Sequence, residues 1–175
     1  QFQVELRRAR NEEIFARKRW VGFAGGVGAG AEGRAGEWRA VLEGQGPAAE
    51  QREALRQLSD ALSMGRDALQ EEVERGLLGC LGRLFASSAD TQVALSAARL
   101  CANILCNASP MLTPAAAEEL ALLLAHRLLA AATPLELVEG GLFALSNLLA
   151  DCAPARQRLF ALGFVSSAMD ALGLQ

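Results

Sequence analysis

The chain holds one histidine, one lysine, no tyrosine and four cysteines. A single imidazole, His126, excludes a multi-histidine metal centre and leaves any Ser/His or Cys/His mechanism one candidate base. Aromatic residues make up 5% of the chain and β-branched residues are scarce. The usual material of a sheet is therefore missing, while the abundant Ala and Leu favour helix. No apolar run reaches about 18 residues, so no membrane-spanning helix is expected in this stretch. The cysteines, at 80, 101, 106 and 152, form no CxxC pair and sit among Leu and Ala. We read them as buried free thiols of a reducing compartment. A net charge of −3 argues against a general nucleic-acid binder.

The chain opens on Gln1 rather than Met and is expected to be a fragment or a processed product. The basic start followed by Val21 to Ala31 imitates a secretory signal, but Glu5, Glu12, Glu13 and the many glycines argue against one. Hydrophobic residues reach 51%, enough for a packed core in a chain of 175 residues.

Charge is placed unevenly. Residues 1–20 carry Arg7, Arg8, Arg10, Arg17, Lys18 and Arg19 against Glu5, Glu12 and Glu13, a basic arm on an acidic body. No Gly or Pro interrupts residues 2–20, and Glu5–Arg8 and Glu13–Arg17 fall at helical spacing. The arm should be a helix of residues 1–21 with little apolar surface of its own to bury, hence solvated or docked on a partner. Residues 22–47 read as a Gly-rich linker with a short helix at 37–43. Its GxGxxG at Gly28, Gly30 and Gly33 is accidental, because a basic helix precedes it where a nucleotide site needs a strand.

From residue 48 the pattern is helical, punctuated by Pro47, Pro110, Pro114, Pro134 and Pro154. Helices are expected over 48–64, 67–75, 77–87, 91–107, 114–131, 134–151, 154–162 and 164–172, with no strand. They repeat. LRQLSDAL at Leu55–Leu62 lies under ARLCANIL at Ala98–Leu105 and LFALSNLL at Leu142–Leu149, which aligns Asp60, Asn103 and Asn147 at spacings of 43 and 44. A period of about 40–47 residues with three helices per unit is the armadillo or HEAT signature. The expected fold is all-α, an armadillo-repeat right-handed superhelical solenoid over residues 48–175, of about three repeats and incomplete at its C-terminus. A further helix should cover Phe164, Val165, Met169 and Leu172.

Each long helix also bears a polar stripe. The three are Arg52, Arg56, Asp60 and Ser63; then Gln92, Ser96, Arg99, Asn103 and Asn107; then Glu136, Glu139, Phe143, Asn147 and Asp151. One such stripe is a solvated face. Three in register would form a ladder along a concave surface, where solenoids bind ligands.

The residues support a resemblance. VELRRARNEEIFARKR at Val4–Arg19 resembles the importin-beta-binding segment that opens importin-alpha, the nuclear-import adaptor, and the two phrases EEVERGLLGCLGRLFASSADTQVALSAARLCANIL and LVEGGLFALSNLLADCAPARQRLFALGFV resemble successive importin-alpha repeats. The resemblance implies an adaptor of cytoplasm and nucleus. Arg7, Arg8, Arg10, Arg17, Lys18 and Arg19 would bind importin-beta. A cargo protein or peptide would lie along Arg99, Asn103, Asn107, Phe143, Asn147 and Asp151, with no cofactor. It also implies that Arg17, Lys18 and Arg19 fold back into the protein's own groove when the receptor is absent, the linker raising their effective concentration. Asn103, Asn147 and Asp151 match the family's groove residues. Arg99 and Phe143 stand where the family has tryptophan, and Arg99 would repel a basic peptide at close range. In that departure the chain is similar to a divergent subgroup of importin-alpha-like armadillo proteins whose groove also lacks the tryptophan ladder.

Two other readings stand beside it. One is an armadillo scaffold that has lost basic-signal binding, its arm a plain localisation signal or a nucleic-acid contact. The other is an enzyme. Against it, His126 lies in a Leu/Ala helix and reads as a core or boundary residue, no Ser or Cys sits at a strand–turn–helix elbow, and Glu71 and Glu72 read as a solvated face.

Overall fold

The structure is a computed structural model that describes residues 31–44, 46–64, 69–108, 112–130 and 133–171. The basic arm, with Arg7, Arg8, Arg10, Arg17, Lys18 and Arg19, lies outside the described residues. Among those described, all regular structure is helical: α1 (Ala31–Glu43), α2 (Ala48–Met64), α3 (Gln70–Glu74), α4 (Leu77–Ser87), α5 (Thr91–Ala108), α6 (Pro114–Leu128), α7 (Leu135–Asp151), α8 (Ala153–Ala161) and α9 (Phe164–Ala171).

Local chemistry sets these boundaries. Asp90 caps α5, its Oδ1 accepting from Val93 N at 2.9 Å, and Thr113 caps α6, with Pro114 in the first turn. Gly76 and Gly163 adopt φ of +99° and +70°, backbone that side chains with a Cβ rarely take. They sit in turns of the same form. Gly76 N donates to Val73 O and Gly163 N to Phe160 O, each at 3.0 Å, and each glycine precedes a new helix, α4 or α9.

The first helix differs from expectation. α1 begins at Ala31 rather than at 37, and Gly33 and Gly36 lie inside it. Ala35 and Leu42 are buried, with Trp38 and Val41 packed beside the core. Arg39 Nε meets Glu72 Oε2 at 2.8 Å, and Arg75 Nη1 meets Glu72 Oε1 at 3.0 Å. Glu72 is therefore no solvated residue: it is 4% exposed, a buried carboxylate with both oxygens held by guanidinium groups. Its neighbour Glu71 is exposed and pairs with Arg75. Gly36 faces this network, where a Cβ would make an ordinary contact with Glu72 Oε1 at 3.4 Å.

The helices pack in two rows. α2 lies against α5 and α5 against α7, while α1, α4, α6 and α8 follow one another in the second row. Between the rows runs a core that includes Leu58, Leu81, Phe85, Leu100, Ile104, Leu120 and Leu145, each large side chain worth about 1.5–3 kcal/mol when fully buried. Two glycines permit the close approach. A Cβ on Gly82 would meet Leu120 Cδ1 at 2.7 Å, and one on Gly141 would meet Phe85 Cζ at 2.5 Å. At the α7–α9 end Phe164 is covered, whereas Val165 and Met169 are 50% and 42% exposed. Of the expected thiols, Cys80 and Cys101 are buried and Cys106 and Cys152 are half-buried, none of them in a disulfide. His126, read as core or boundary, lies exposed in the last turn of α6.

Candidate ligand-binding face

The three polar stripes lie on α2, α5 and α7, the helices of one row. α5 shows how little freedom this face has. Val93, Ala94, Leu95, Ala97, Ala98, Leu100, Cys101 and Ala102 are all buried, which leaves Gln92, Ser96, Arg99 and Asn103 as the strip that reaches the surface. Here the helical period alone selects the exposed residues.

The register between α5 and α7 is fixed at two points. A Cβ on Gly140 would lie 3.1 Å from Leu95 Cδ1 and 3.6 Å from Ala98 Cβ. Seven residues on, Asn147 Nδ2 donates to Ala102 O at 3.0 Å. Arg99 and Phe143 thus occupy equivalent places on neighbouring helices, as do Asn103 and Asn147.

The stripes are not uniformly solvated. Arg99 is exposed, and no ion pair or hydrogen bond engages its side chain among the described residues. Phe143 is half-buried and packs beside the core, and Asn103 is half-buried. Asn147 is only 8% exposed. Asp151 is exposed at the end of α7, as are Glu136 and Glu139 near its start. Asn107 belongs to the last turn of α5, and its side chain lies outside the described residues. On α2, Asp60 is 6% exposed and takes Arg56 Nη1 at 2.7 Å. Arg56 Nη2 also meets Glu53 Oε1 at 2.6 Å. That hydrogen bond, with a second from Gln57, holds the Glu53 carboxyl down at about 2, and it raises Arg56. Arg52 is spent on Asp90 at 2.8 Å.

The face therefore presents internally balanced charge on α2, one uncompensated cation on α5, and an aromatic ring flanked by carboxylates on α7. Such a surface can hold a polypeptide by hydrogen bonds, ion pairs and ring stacking. It brings together no nucleophile and base. Among the described residues no group of three His, Cys, Asp or Glu side chains could hold a metal ion, and no helix is long and apolar enough to cross a membrane. Sequence periodicity located the strip but not the burial of Asp60 and Asn147, since polarity alone does not separate a solvated side chain from one bonded to the neighbouring helix. Comparison of the chain with protein-family models, curated proteins and solved structures yields no match.

Proposed function

We propose that the chain is an importin-alpha-like adaptor built on an armadillo solenoid. Its basic arm engages importin-beta through Arg7, Arg8, Arg10, Arg17, Lys18 and Arg19, and the α2–α5–α7 row holds a protein or peptide ligand. The observation that carries this reading is the recurrence along the chain of one helical position and one turn. Asp60, Asn103 and Asn147 recur at the same helical position, and the left-handed glycine turn recurs at Gly76 and Gly163. An arm with basic residues spread over four helical turns, interleaved with Val4, Leu6, Ile14 and Phe15, suits a long acidic groove better than a short localisation signal would.

A second reading rests on Arg99. An exposed guanidinium where the family places an indole disfavours lysine-rich cargo, so the row serves a different polypeptide and the protein is a scaffold. The test is calorimetry of a residue 1–21 peptide against importin-beta at two salt concentrations, beside a peptide with Arg10, Arg17, Lys18 and Arg19 changed to Ala. Tight, salt-sensitive binding that disappears in the variant supports the adaptor. Absence of binding at low salt removes it and leaves the scaffold.

A further inference from the structure

Away from the α2–α5–α7 surface, a cleft of about 860 Å³ opens where the end of α1, the start of α2 and the end of α4 converge. That volume lies within the range of small-ligand sites, roughly 300–1,000 Å³. Leu42, Leu84 and Leu123 supply an apolar wall, and Gln51, Arg83, Glu43 and Asp90 supply the polar groups.

Those polar groups differ in what they have left to offer. Glu43 is held by Arg39 at 3.1 Å. Asp90 is held by Arg52 at 2.8 Å and caps α5 through Val93 N. Gln51 is 7% exposed, and no hydrogen bond engages its carboxamide among the described residues. Its carboxamide lines the cleft and is not sealed from solvent, so it can offer its donor and acceptor to a ligand. Arg83 has one partner, Glu119, at 3.7 Å, and both side chains are more than half exposed, a pairing that contributes little.

We propose that this cleft binds the C-terminal end of a peptide. The free carboxylate meets the Arg83 guanidinium in a charge-assisted pair. The last peptide bond offers one donor and one acceptor, which matches the donor and acceptor of the Gln51 carboxamide. The terminal apolar side chain lies against Leu42, Leu84 and Leu123. A basic ligand is disfavoured because both carboxylates at the rim already have cations. None of the residues named for this site belongs to the three polar stripes.

The test uses the full chain, 15N-labelled, titrated with acetyl-Ala-Leu as the free acid and with the same dipeptide as its C-terminal amide. The expected result is saturable shifts at Gln51, Arg83 and Leu84 with the acid, and binding about tenfold weaker for the amide, the change expected from loss of one charge-assisted bond. Arg83→Met should weaken the acid to the level of the amide. Gln51→Leu should weaken both probes, because the donor and acceptor of the carboxamide have been removed. Equal affinity for acid and amide overturns the proposal, as does the absence of saturable shifts. Undiminished affinity for the acid in Arg83→Met also overturns it, since that assigns the carboxylate to another cation.

Discussion

Asn147 reaches across from α7 to the main chain of α5, its Nδ2 donating to the Ala102 carbonyl at 3.0 Å from a site that is 8% exposed. The Ala102 oxygen lies inside α5, so this bond uses its second lone pair. Asn147→Leu preserves shape and leaves that carbonyl with its helical partner. It should cost about 1 kcal/mol. Asn147→Asp places a carboxylate against a carbonyl and should cost about 3 kcal/mol or more at neutral pH. Urea denaturation of the three proteins checks the order; an Asp variant as stable as the Leu variant would contradict the buried geometry.

The glycine at 141 stands where α7 comes closest to the second row. Its hypothetical Cβ would lie 2.5 Å from Phe85 Cζ and 2.9 Å from Leu128 Cδ2. Gly141→Ala should therefore destabilise by about 1–3 kcal/mol despite the better helix propensity of alanine. The effect should be coupled to Phe85. In a double-mutant cycle with Phe85→Leu, the combined loss should fall short of the sum by about 0.5 kcal/mol or more. Strict additivity would place the clash elsewhere.

Glu53 gives a pH signature. Its carboxyl titrates at about 2, held there by hydrogen bonds from Arg56 and Gln57. A carboxylate depressed in the fold stabilises above its unfolded range, near 4.3, and that contribution fades as pH falls toward the folded value. Carboxyl 13C shifts should show Glu53 titrating well below the ordinary glutamate range. In Arg56→Met it should return toward the ordinary range. If Glu53 titrates alike in both proteins, the Arg56 contact is not formed in solution.

The Cys101 thiol is fully buried in α5, and burial pushes it up to about 12. The neutral thiol is favoured by the fold, so its contribution is complete below the ordinary thiol range and is lost as pH rises toward that value. Burial, then the Glu43 carboxylate, also raises Cys80. With an aromatic disulfide reagent at pH 8, mass-spectrometric mapping should find half-buried Cys152 labelled first and Cys101 last, at a rate set by unfolding. Early labelling of Cys101 would contradict the packing of α5.

Much of the secondary structure was legible. Helices expected at 48–64 and 77–87 occur at those residues, because Pro47 and Gly76 mark their starts and apolar periodicity marks their length. α1 was misread at its start. Glycine lowers helix propensity by about 1 kcal/mol per residue, and Gly33 and Gly36 therefore read as linker. Tertiary contact outweighs that cost: Ala35 and Leu42, seven residues apart, share one buried face. Glu72 was misread for a related reason. Beside Glu71 it looks like surface, and its burial is tolerable because Arg39, from another helix, joins Arg75 in holding the carboxylate. On the candidate face, spacing placed Arg99 and Phe143 in register. It could not show which of the stripe residues reach solvent and which hold helices together.

The clasp of Arg39 on Glu72 also sets a radius of action. α1 holds the chain against the other helices from Ala31 onward, ahead of Ala48. Arg19 lies twelve residues upstream of Ala31. At no more than about 3.6 Å per residue, it stays within ~43 Å of that point whatever path the chain takes. Released at Ala48, the same arginine could wander roughly 100 Å. A receptor that grips the basic cluster must therefore stand close beside the α1 end of the array. Undoing the Ala35 and Leu42 packing together with the Arg39–Glu72 clasp would lengthen the leash without altering a single residue of the arm.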